Sequence, residues 1–310
     1  MEFVEHRQIM ILGGGPAGFT AALYAARADL KPLLVTGMTL YGQASQTHLI
    51  ENYPGFPEGV GGSDLGQLFE NQAKRFGAEI VFDMVQCVRL DQRPFEVCLS
   101  DTMYTTDSLI ICMGADPRKL GVPGEREFTG RGVSYCATCD GWFYKNKDIH
   151  MVGGGDSALE EALFLTRFVN SITIIHRRDM LRAGAILEKR ALENPKINFI
   201  WDTVVKEIIG EETVKQLLVE NVITGQQETI PTDGVFVSIG NTPNTAVLEG
   251  QLKLTSRGTI EVDSRMETSV KGVFAAGEIA DPYYRQVVTS AGLGAAAAIS
   301  ATHYLQELSK

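Results

Sequence analysis

Two segments of the 310-residue chain match each other, and each reads as an apolar strand, a glycine turn, a helix and a second strand. The first, IMILGGGPAGFTAALYAARADLKPLLVTG, begins at Ile9, and the second, IHMVGGGDSALEEALFLTRFVNSITIIHRR, begins at Ile149. This form is typical of a dinucleotide-binding unit with the pattern GxGxxG/A. The first glycine permits a tight turn, the second lets the backbone approach a pyrophosphate, and the third position must be small so that helix and strand can pack. These positions are Gly13, Gly15 and Gly18 in the first copy, and Gly153, Gly155 and Ala158 in the second.

The length and two breaks in composition predict how the repeats are organised. A chain of 310 residues accommodates two domains at roughly 150 residues each. Two stretches rich in Gly, Pro, Asn and Asp indicate crossings between domains: GADPRKLGVPG at 114–124 and IGNTPNT at 239–245. We therefore predict an α/β fold of two Rossmann-like, three-layer dinucleotide-binding domains, the second inserted into the first. The predicted segments are 1–116, 117–243 and 244–310, with the first and last forming one domain.

The two copies differ at the position about twenty residues beyond the glycines, where an acidic residue normally binds a ribose 2′-hydroxyl. In the first copy this position is Thr36, which leaves the nucleotide open. In the second it is His176, followed by Arg177, Arg178 and, further on, Arg182. Arginines can bind a 2′-phosphate in bidentate fashion, whereas an acid would repel it, so the second unit is predicted to prefer NADPH to NADH. The alternative is a solvated basic turn that binds nothing.

A segment late in the chain, GVFAAGEIADPYYRQVVTSAGLGAAAAIS, reads as strand, loop and helix. The strand is predicted over 273–276 and ends at Gly277 and Glu278, while the helix begins near Arg285 or Gln286. An acid at the end of a buried strand suits a sugar-like hydroxyl, and a helix start suits a flavin carbonyl. An ordinary strand, loop and helix without a ligand is the alternative.

Composition disfavours several classes of function. The chain has 28 Lys and Arg against 38 Asp and Glu, a net charge of −10, which disfavours broad binding to nucleic acid or to an anionic membrane. Its start, MEFVEHRQIMILGGG, lacks the cationic region and the long apolar run of a secretory signal. Five cysteines, an odd count in a chain of this size, do not suggest a disulfide scaffold. We therefore expect a cytoplasmic protein with no nucleic-acid or membrane partner.

Cys136 and Cys139 lie three residues apart in VSYCATCDGWF, a spacing compatible with half of a metal site or with a redox couple. A structural zinc site needs four ligands, usually two such pairs, and the sequence contains no second CxxC, so we expect no metal. A redox couple is favoured, because this spacing lets a disulfide form and break with little backbone motion, and the pKa of one thiol can fall from about 8.5 toward neutral. The remaining cysteines lie in apolar, strand-like runs and are predicted to be small buried core residues: Cys87, Cys98 and Cys112.

Asp140 follows the cysteine pair directly. An ordinary Asp, with a pKa of about 3.9, is a poor acid at neutral pH. Burial against Trp142 or Phe143 would raise the pKa of this carboxyl enough for it to exchange protons with a thiol. The alternative is a turn or cap residue before Gly141.

These parts predict a path for electrons. NADPH delivers a hydride, a dithiol accepts a pair of electrons through thiolate chemistry, and a flavin is the usual link between the two. We therefore predict FAD in the first unit and NADPH in the second. The cysteines share a domain with the NADPH site, yet both must reach the flavin, and a disulfide held against the flavin could not reach a protein substrate. Rotation of the second domain on its two crossings would satisfy both demands, and we predict it.

Motifs along essentially the whole chain resemble those of the low-molecular-weight thioredoxin reductases of bacteria: CATCDG, GGGDSALEEALFL…HRR, ENYPGF and RQVVTSAG. The resemblance implies a homodimeric flavoprotein that passes electrons from NADPH through FAD to thioredoxin, with FAD in the first domain and NADPH in the inserted one. It also implies Cys139 as the flavin-proximal thiol, Cys136 as the thiol that attacks thioredoxin, and Asp140 as proton donor and acceptor.

The resemblance, together with the glycine turns, assigns three sets of contacts. The residues predicted to contact FAD are Gly13, Gly15, Pro16, Ala17, Thr36, Gly42, Gln43, Asn52, Gly114, Gly277, Glu278, Arg285, Gln286 and Val287. Those predicted to contact NADPH are Gly153, Gly155, Asp156, Ser157, His176, Arg177, Arg178, Arg182 and Gly240. Those predicted to contact thioredoxin are Arg131, Trp142 and Phe143.

The chain departs from the pattern of these reductases around the predicted flavin site. Residues 41–44 read YGQA where the family usually has GGQL, and residues 112–114 read CMG where it usually has ATG. Glu278 replaces an Asp. Tyr41 and Glu278 each add bulk near the predicted cofactor, so these are the positions at which FAD affinity and flavin environment are expected to differ.

Two alternative functions fit much of the same sequence. One is a related NADPH-dependent flavoprotein that reduces another disulfide carrier, such as a glutaredoxin-like protein. The other is a non-catalytic flavin or nucleotide sensor, which would fail to turn over NADPH with any disulfide.

Overall fold

The structure, a computed structural model, describes residues 4–46, 49–50, 52–308 and 310. Its strands, numbered along the chain, are β1 (Val4–Leu12), β2 (Leu33–Val35), β3 (Glu79–Val81), β4 (Cys87–Arg89), β5 (Phe95–Cys98), β6 (Met103–Ile111), β7 (Ala115–Pro117), β8 (Val133–Ser134), β9 (Asp148–Val152), β10 (Ser171–Ile175), β11 (Ile197–Ile200), β12 (Thr203–Gly210), β13 (Val214–Asn221), β14 (Gln227–Pro231), β15 (Val235–Val237), β16 (Asn241–Pro243) and β17 (Val273–Ala275). The helices are α1 (Pro16–Arg27), α2 (Gly62–Arg75), α3 (Ala137–Asp140), α4 (Asp156–Leu165), α5 (Ala185–Leu192) and α6 (Val287–Leu308), with short 3-10 helices at Gly42–Gln46, Gly141–Tyr144 and Ala246–Leu248.

The first of two compact units comprises residues 1–116 and 242–310. Its sheet has the strand order β3-β2-β1-β6-β5-β4, and β17 pairs with β6. The pairings among β3, β2, β1, β6 and β17 are parallel, whereas β5 is antiparallel to both β6 and β4. A parallel sheet that includes a strand from the late segment explains why residues 242–310 belong with the beginning of the chain.

Strand β1 shows how this sheet is buried on both faces. Side chains alternate along a strand, so Ile9 and Ile11 pack with α1 and α6 on one face, while Met10 and Leu12 pack with the β4–β5 region on the other. All four are fully buried. Burial on both faces produces the continuous apolar run IMIL that the sequence shows, as is typical of parallel strands.

The second unit comprises residues 117–241. Its five-stranded sheet is parallel, in the order β11-β10-β9-β15-β8. A separate three-stranded antiparallel sheet has the order β12-β13-β14. Helices α4 and α5 belong to this unit, and residues from α4 pack on β9 and β10 in one apolar cluster. The predicted α/β class is therefore confirmed.

The chain crosses between the units twice, and both crossings are extended. Strands β7 and β16 pair with each other as a two-stranded sheet. Within the described part of the chain, no helix combines the length and the apolar character that crossing a membrane requires.

Candidate active site

In the first unit, the predicted flavin residues converge because their strands end in register. Leu12 of β1 pairs with Val35 of β2 and with Ile111 of β6, and Ile111 pairs with Ala275 of β17. The loops that follow these four parallel strands therefore leave the sheet at one edge. They carry four of the predicted contacts: Gly13, Thr36, Gly114 and Gly277. Ligands of open α/β sheets bind in this position, outside the carboxyl ends of the strands.

The first glycine turn has the geometry expected for an approaching phosphate. Gly13 has a φ of 112°, and a Cβ atom there would lie 2.2 Å from the carbonyl oxygen of Cys112. A Cβ atom at Gly15, in contrast, would meet nothing within 4 Å. Helix α1 starts at Pro16 and has no side-chain cap at Gly15. The start of this twelve-residue helix thus has no side-chain cap and has open space at Gly15, which favours an anion.

Other predicted flavin residues lie around the same turn. A Cβ atom at Gly42 would lie 3.2 Å from the Cα atom of Gly15, and one at Gly277 would lie 3.0 Å from the Cβ atom of Ala17. The side-chain amide of Gln43 donates to the carbonyl of Ala115. The close approaches at Gly42 and Gly277 explain why small residues occupy these positions.

The hydroxyl of Thr36 is directed at protein rather than at open space. It donates to the carbonyl of Gly37 at 3.0 Å, and the Thr36 side chain is buried. The contribution of Thr36 to a ligand site would therefore come from its backbone and its shape.

The predicted contacts at the start of α6 include a hydrogen bond to a distant loop. The Nδ2 of Asn52 donates to the Oε1 of Gln286 at 3.1 Å. Arg285 has a positive φ of 49°, and α6 begins two residues later at Val287. The predicted helix start near 285–286 is thus correct to within two residues.

Glu278 lies among charged groups of the same unit. Burial raises the pKa of its carboxyl to about 7, with further upward contributions from Asp281 and Asp116, while Arg285 lowers it. The carboxyl at this position therefore keeps its proton to a higher pH than an ordinary carboxylate does.

Tyr41 has a left-handed backbone, with a φ of 64°, but its ring is buried in the core beneath the loop. It packs on Phe19 with ring centroids 5.8 Å apart, and a Cβ atom at Gly66 would lie 2.2 Å from the ring. Its hydroxyl donates to Glu70 at 2.6 Å, and burial followed by Glu70 raises the tyrosine pKa to about 12. The bulk predicted to crowd the cofactor is accommodated by a glycine of α2.

In the second unit, three parallel strands again end in register. Val152 of β9 pairs with Ile175 of β10 and with Val237 of β15. The loop residues that follow include Gly153, His176 and Gly240. Gly155 precedes α4 without a side-chain cap, and a Cβ atom there would meet nothing within 4 Å. The geometry of the first glycine turn is thus repeated.

The residues around this second turn differ in how exposed they are. Asp156, at the start of α4, accepts a hydrogen bond from the backbone N–H of Gly184 at 2.8 Å, and Ser157 beside it is half-buried. The backbone N–H of Arg182 donates to the carbonyl of Gly154 at 2.7 Å, which holds this arginine beside the turn. Arg177, Arg178 and Arg182 are all exposed.

His176 is buried directly against the second glycine turn. A Cβ atom at Gly154 would lie 2.3 Å from its Nδ1. Its Nε2 is buried and has no hydrogen-bond partner within the described part of the chain. Burial, followed by the charges of Arg178 and Arg177, lowers the pKa of this imidazole, so it is neutral at physiological pH. An unpartnered ring nitrogen next to an open glycine turn is a position that a polar ligand can satisfy.

Cys136 and Cys139 form a disulfide, with Cα atoms 5.3 Å apart. Cys136 caps the short helix α3, and the backbone N–H of Cys139 donates to its sulfur at 3.2 Å. When the pair is reduced, this donor favours a thiolate on Cys136. Both cysteines are half-buried, so the pair is accessible without being fully exposed.

Asp140 is held beside the cysteines by Ser134. The Ser134 hydroxyl donates to the Oδ2 of Asp140 at 2.6 Å and accepts from the backbone N–H of Cys136 at 3.1 Å. Burial raises the pKa of the Asp140 carboxyl, and the Ser134 hydrogen bond partly opposes that shift. The upward shift of the Asp140 pKa is in the predicted direction, because a desolvated carboxyl keeps its proton to higher pH.

The aromatic residues after Asp140 do not have the packing that was expected of them. Trp142 and Phe143 are 51% and 40% exposed, so they are not the principal cover of the carboxyl. Tyr144 is buried instead, and burial followed by the Asp140 charge raises the pKa of its hydroxyl to about 12. Arg131 is also exposed. Exposure of Arg131, Trp142 and Phe143 leaves them available to a macromolecule.

Residues 7–294 match the family described as pyridine nucleotide-disulphide oxidoreductase. The chain belongs to this family. Relatives of this oxidoreductase include thioredoxin reductases of Streptomyces coelicolor, 45% identical over 98% of this chain and 95% of the relative, and of Rickettsia typhi, 45% identical over 97% and 98%. A crystal structure of thioredoxin reductase from Streptococcus pyogenes is 42% identical, covers 97% of this chain and 99% of its own, and has a TM-score of 0.92.

Membership of the pyridine nucleotide-disulphide oxidoreductases implies a flavin and a pyridine nucleotide. The residues of this structure fit both groups, since each glycine turn leaves open space at an uncapped helix start. Such a start suits the pyrophosphate of a dinucleotide.

Two features of this oxidoreductase were missed by the sequence analysis. One is Ser134, whose only sequence signal is its place at the end of a strand two residues before Cys136. The other is a second disulfide, between Cys87 and Cys98. The prediction that these two are buried core residues is wrong, because both are half-buried and bonded to each other. Their equal distance from the turn at 92–93 was the signal for their pairing. Cys112 is buried as predicted, its thiol is free, and burial raises the pKa of that thiol to about 12.

Proposed function

We propose that this chain is an NADPH-dependent thioredoxin-disulfide reductase that passes electrons through FAD and the Cys136–Cys139 pair. The observation that carries the proposal is the joint placement of this disulfide, the half-buried Asp140 and the hydroxyl of Ser134. A disulfide beside a carboxyl with a raised pKa has both the electron acceptor and the proton donor that reduction to a dithiol needs. Full-length similarity to thioredoxin reductases supports the choice of substrate.

The first unit would hold FAD at the shared edge of β1, β2, β6 and β17. The uncapped start of α1 would bind the pyrophosphate, with Gly13 and Gly15 leaving room for it. Glu278 would accept or donate a hydrogen bond to a hydroxyl, depending on its protonation, and the start of α6 would face the flavin. The flavin, when bound, supplies the link between two-electron hydride donation and thiol chemistry.

The second unit would hold NADPH. The start of α4 at Asp156 would bind its pyrophosphate, and His176 would offer its unpartnered Nε2. Arg177, Arg178 and Arg182 are exposed near the turn and would bind a 2′-phosphate. No acidic residue stands at this position, which favours NADPH over NADH.

The cysteine pair would accept two electrons and two protons and open to a dithiol. Protonated Asp140 would give its proton to the thiolate that departs as the disulfide opens, and Ser134 would keep the carboxyl oriented for that transfer. Cys136 would then attack a sulfur atom of oxidised thioredoxin to form a mixed disulfide. Attack of Cys139 on Cys136 would release reduced thioredoxin and restore the starting disulfide.

Thioredoxin would dock where Arg131, Trp142 and Phe143 are exposed. Large aromatic and arginine side chains are the types that most often carry binding energy at protein interfaces. Three calls stay predictions that the resemblance supports: rotation of the NADPH domain, predicted over 117–243, between two working positions, a homodimeric state and a cytoplasmic location.

The test is NADPH oxidation by the purified protein, with and without oxidised thioredoxin from the same organism. We expect strong acceleration by thioredoxin, faster oxidation of NADPH than of NADH, and loss of the acceleration in C139S. Flavin reduction that thioredoxin does not accelerate would reject this partner in favour of another disulfide carrier. Absence of flavin reduction by NADPH would reject the electron path itself and favour a sensor.

A further inference from the structure

Cys87 and Cys98 occupy the antiparallel edge of the first unit's sheet. Cys87 opens β4, which is the last strand of the sheet order, and Cys98 closes β5 beside it. The register pairs Cys87 directly with Cys98, Val88 with Val97 and Arg89 with Glu96. The two cysteines, eleven residues apart, are thus brought opposite each other by the hairpin.

Alternation along the two strands separates a core face from an outer face. Val88 and Val97 are buried in the apolar core, whereas Cys87 and Cys98 share the other face and are half-buried. Their Cα atoms are 5.0 Å apart, and the range found for disulfides is about 4.4–6.8 Å. The two side chains are therefore close enough to form a disulfide, on the side of the sheet away from the core.

One ion pair lies beside this cysteine pair. Arg89 lies two residues after Cys87 on the same face, but its guanidinium binds the carboxylate of Glu96 at 3.0 Å. The positive charge that would otherwise promote a thiolate is thereby neutralised. Exchange at this pair should consequently be slower than at Cys136, whose sulfur receives a backbone N–H.

We propose that Cys87 and Cys98 are a reversible oxidation site, a dithiol that closes to a disulfide by exchange with small-molecule disulfides. This proposal does not depend on the proposed reductase function, because neither cysteine belongs to the Cys136–Cys139 site. It gives the chain a modification whose state follows the thiol–disulfide balance of its surroundings.

The chemistry proceeds in two exchanges. The Cys87 thiolate, on the edge strand, attacks one sulfur of the small disulfide, whose S–S bond breaks and releases the first thiol. Cys98 then attacks the Cys87 sulfur of the mixed disulfide, forms the Cys87–Cys98 bond and releases the second thiol. Two protein thiols are oxidised, one small disulfide is reduced to two thiols, and the two cysteine protons end on the released thiols.

The test uses the full-length, cofactor-loaded C136S/C139S variant, so that the other pair cannot contribute. The protein is equilibrated in glutathione mixtures graded from reduced to oxidised, alkylated after denaturation, and cleaved with trypsin. Cleavage after Arg89 places Cys87 on one peptide and Cys98, together with Cys112, on the next, so fragmentation of the linked peptide pair identifies the bonded cysteine. We expect the linked pair to appear as the mixture becomes oxidising, both alkyl groups to be lost together, and dithiothreitol to reverse the change.

The control adds C98S to the same background. We expect no linked peptides there and a single glutathione adduct on Cys87. The proposal is overturned if Cys87 and Cys98 both stay alkylated in the most oxidised mixture, or if a glutathione adduct persists on Cys87 while Cys98 is present. A linked pair that survives C98S would also overturn it, because the bond would then involve another cysteine.

Discussion

Cys136 and Cys139 are bridged across one turn of the short helix α3, whereas Cys87 and Cys98 face each other across two antiparallel strands. The Cα separations are nearly the same, 5.3 Å and 5.0 Å. What differs is the local chemistry, since the helical pair has a backbone N–H on one sulfur and Asp140 beside it. Beside Cys87 and Cys98, in contrast, the charge of Arg89 is neutralised by Glu96. Proximity of two cysteines is thus enough for a disulfide to form, whereas catalytic turnover also needs a proton donor and a stabilised thiolate.

The largest expected difference between the two pairs is in catalytic turnover, which can be tested by replacing one cysteine of each pair. C139S should lower thioredoxin-dependent NADPH oxidation by about 10³-fold or more, because removal of a nucleophilic partner abolishes the exchange path. C98S should leave this rate within about twofold of the unaltered protein, since Cys98 has no part in that path. Steady-state rates with thioredoxin and NADPH would measure both. Comparable losses in the two variants would mean that the hairpin pair carries electrons as well.

A second expected effect is on the thermal stability of the chain, to which the Cys87–Cys98 bond should contribute. In an oxidising buffer the Cys87–Cys98 bond should stabilise the chain by about 2–3 kcal/mol, since it closes a loop of about eleven residues and restricts the unfolded state. The C87S/C98S variant should then unfold at a temperature lower by roughly 4–12 °C. In dithiothreitol the two proteins should unfold at closely similar temperatures. Thermal unfolding followed by circular dichroism would measure this, and equal transitions in both buffers would contradict it.

The smallest effect concerns Ser134 as a positioning residue for Asp140. S134A removes a donor that lowers the carboxyl pKa, so that pKa should rise further. The shift should be on the order of one unit, because a hydrogen bond to a charged group is worth about 1.5–3 kcal/mol and one unit corresponds to about 1.4 kcal/mol.

The pH dependence of kcat/KM between pH 5 and 9 would measure this shift. The limb that depends on Asp140 should move to higher pH in S134A, return toward its original position in S134T, and disappear in D140N. A purely structural role for Ser134 would lower the rate at every pH without moving the limb, and that result would reject the assignment.

Much of the fold was predictable because it depends on patterns between near neighbours in the chain. The two glycine turns, each followed by a helix, predicted two parallel sheets, and β1, β9, α1 and α4 lie where the repeat predicts. The role predicted for the arginines after His176, which comes from their distance beyond the glycines, stays a prediction. The start of α6 and the strand at 273–275 were predicted within two residues.

Contacts between distant residues were less predictable. Tyr41 was expected to crowd the flavin, but its ring lies in the core against Gly66 and Glu70, which are 25 and 29 positions away. The burial that raises the pKa of Glu278 to about 7 likewise depends on how the late segment packs. Neither outcome has a signal in the neighbouring sequence.

The sequence alone was enough to recognise the two glycine turns with their helices and the CxxC with its acid, because spacing within one turn or one strand sets each of them, and the NADPH preference of the second unit stays a prediction. Only the tertiary structure decided which cysteines meet across β4 and β5 and which hydroxyl holds Asp140. The physical reason is that strand register and burial arise when the whole sheet packs. A shift of one residue would turn Cys98 to the opposite face of its strand.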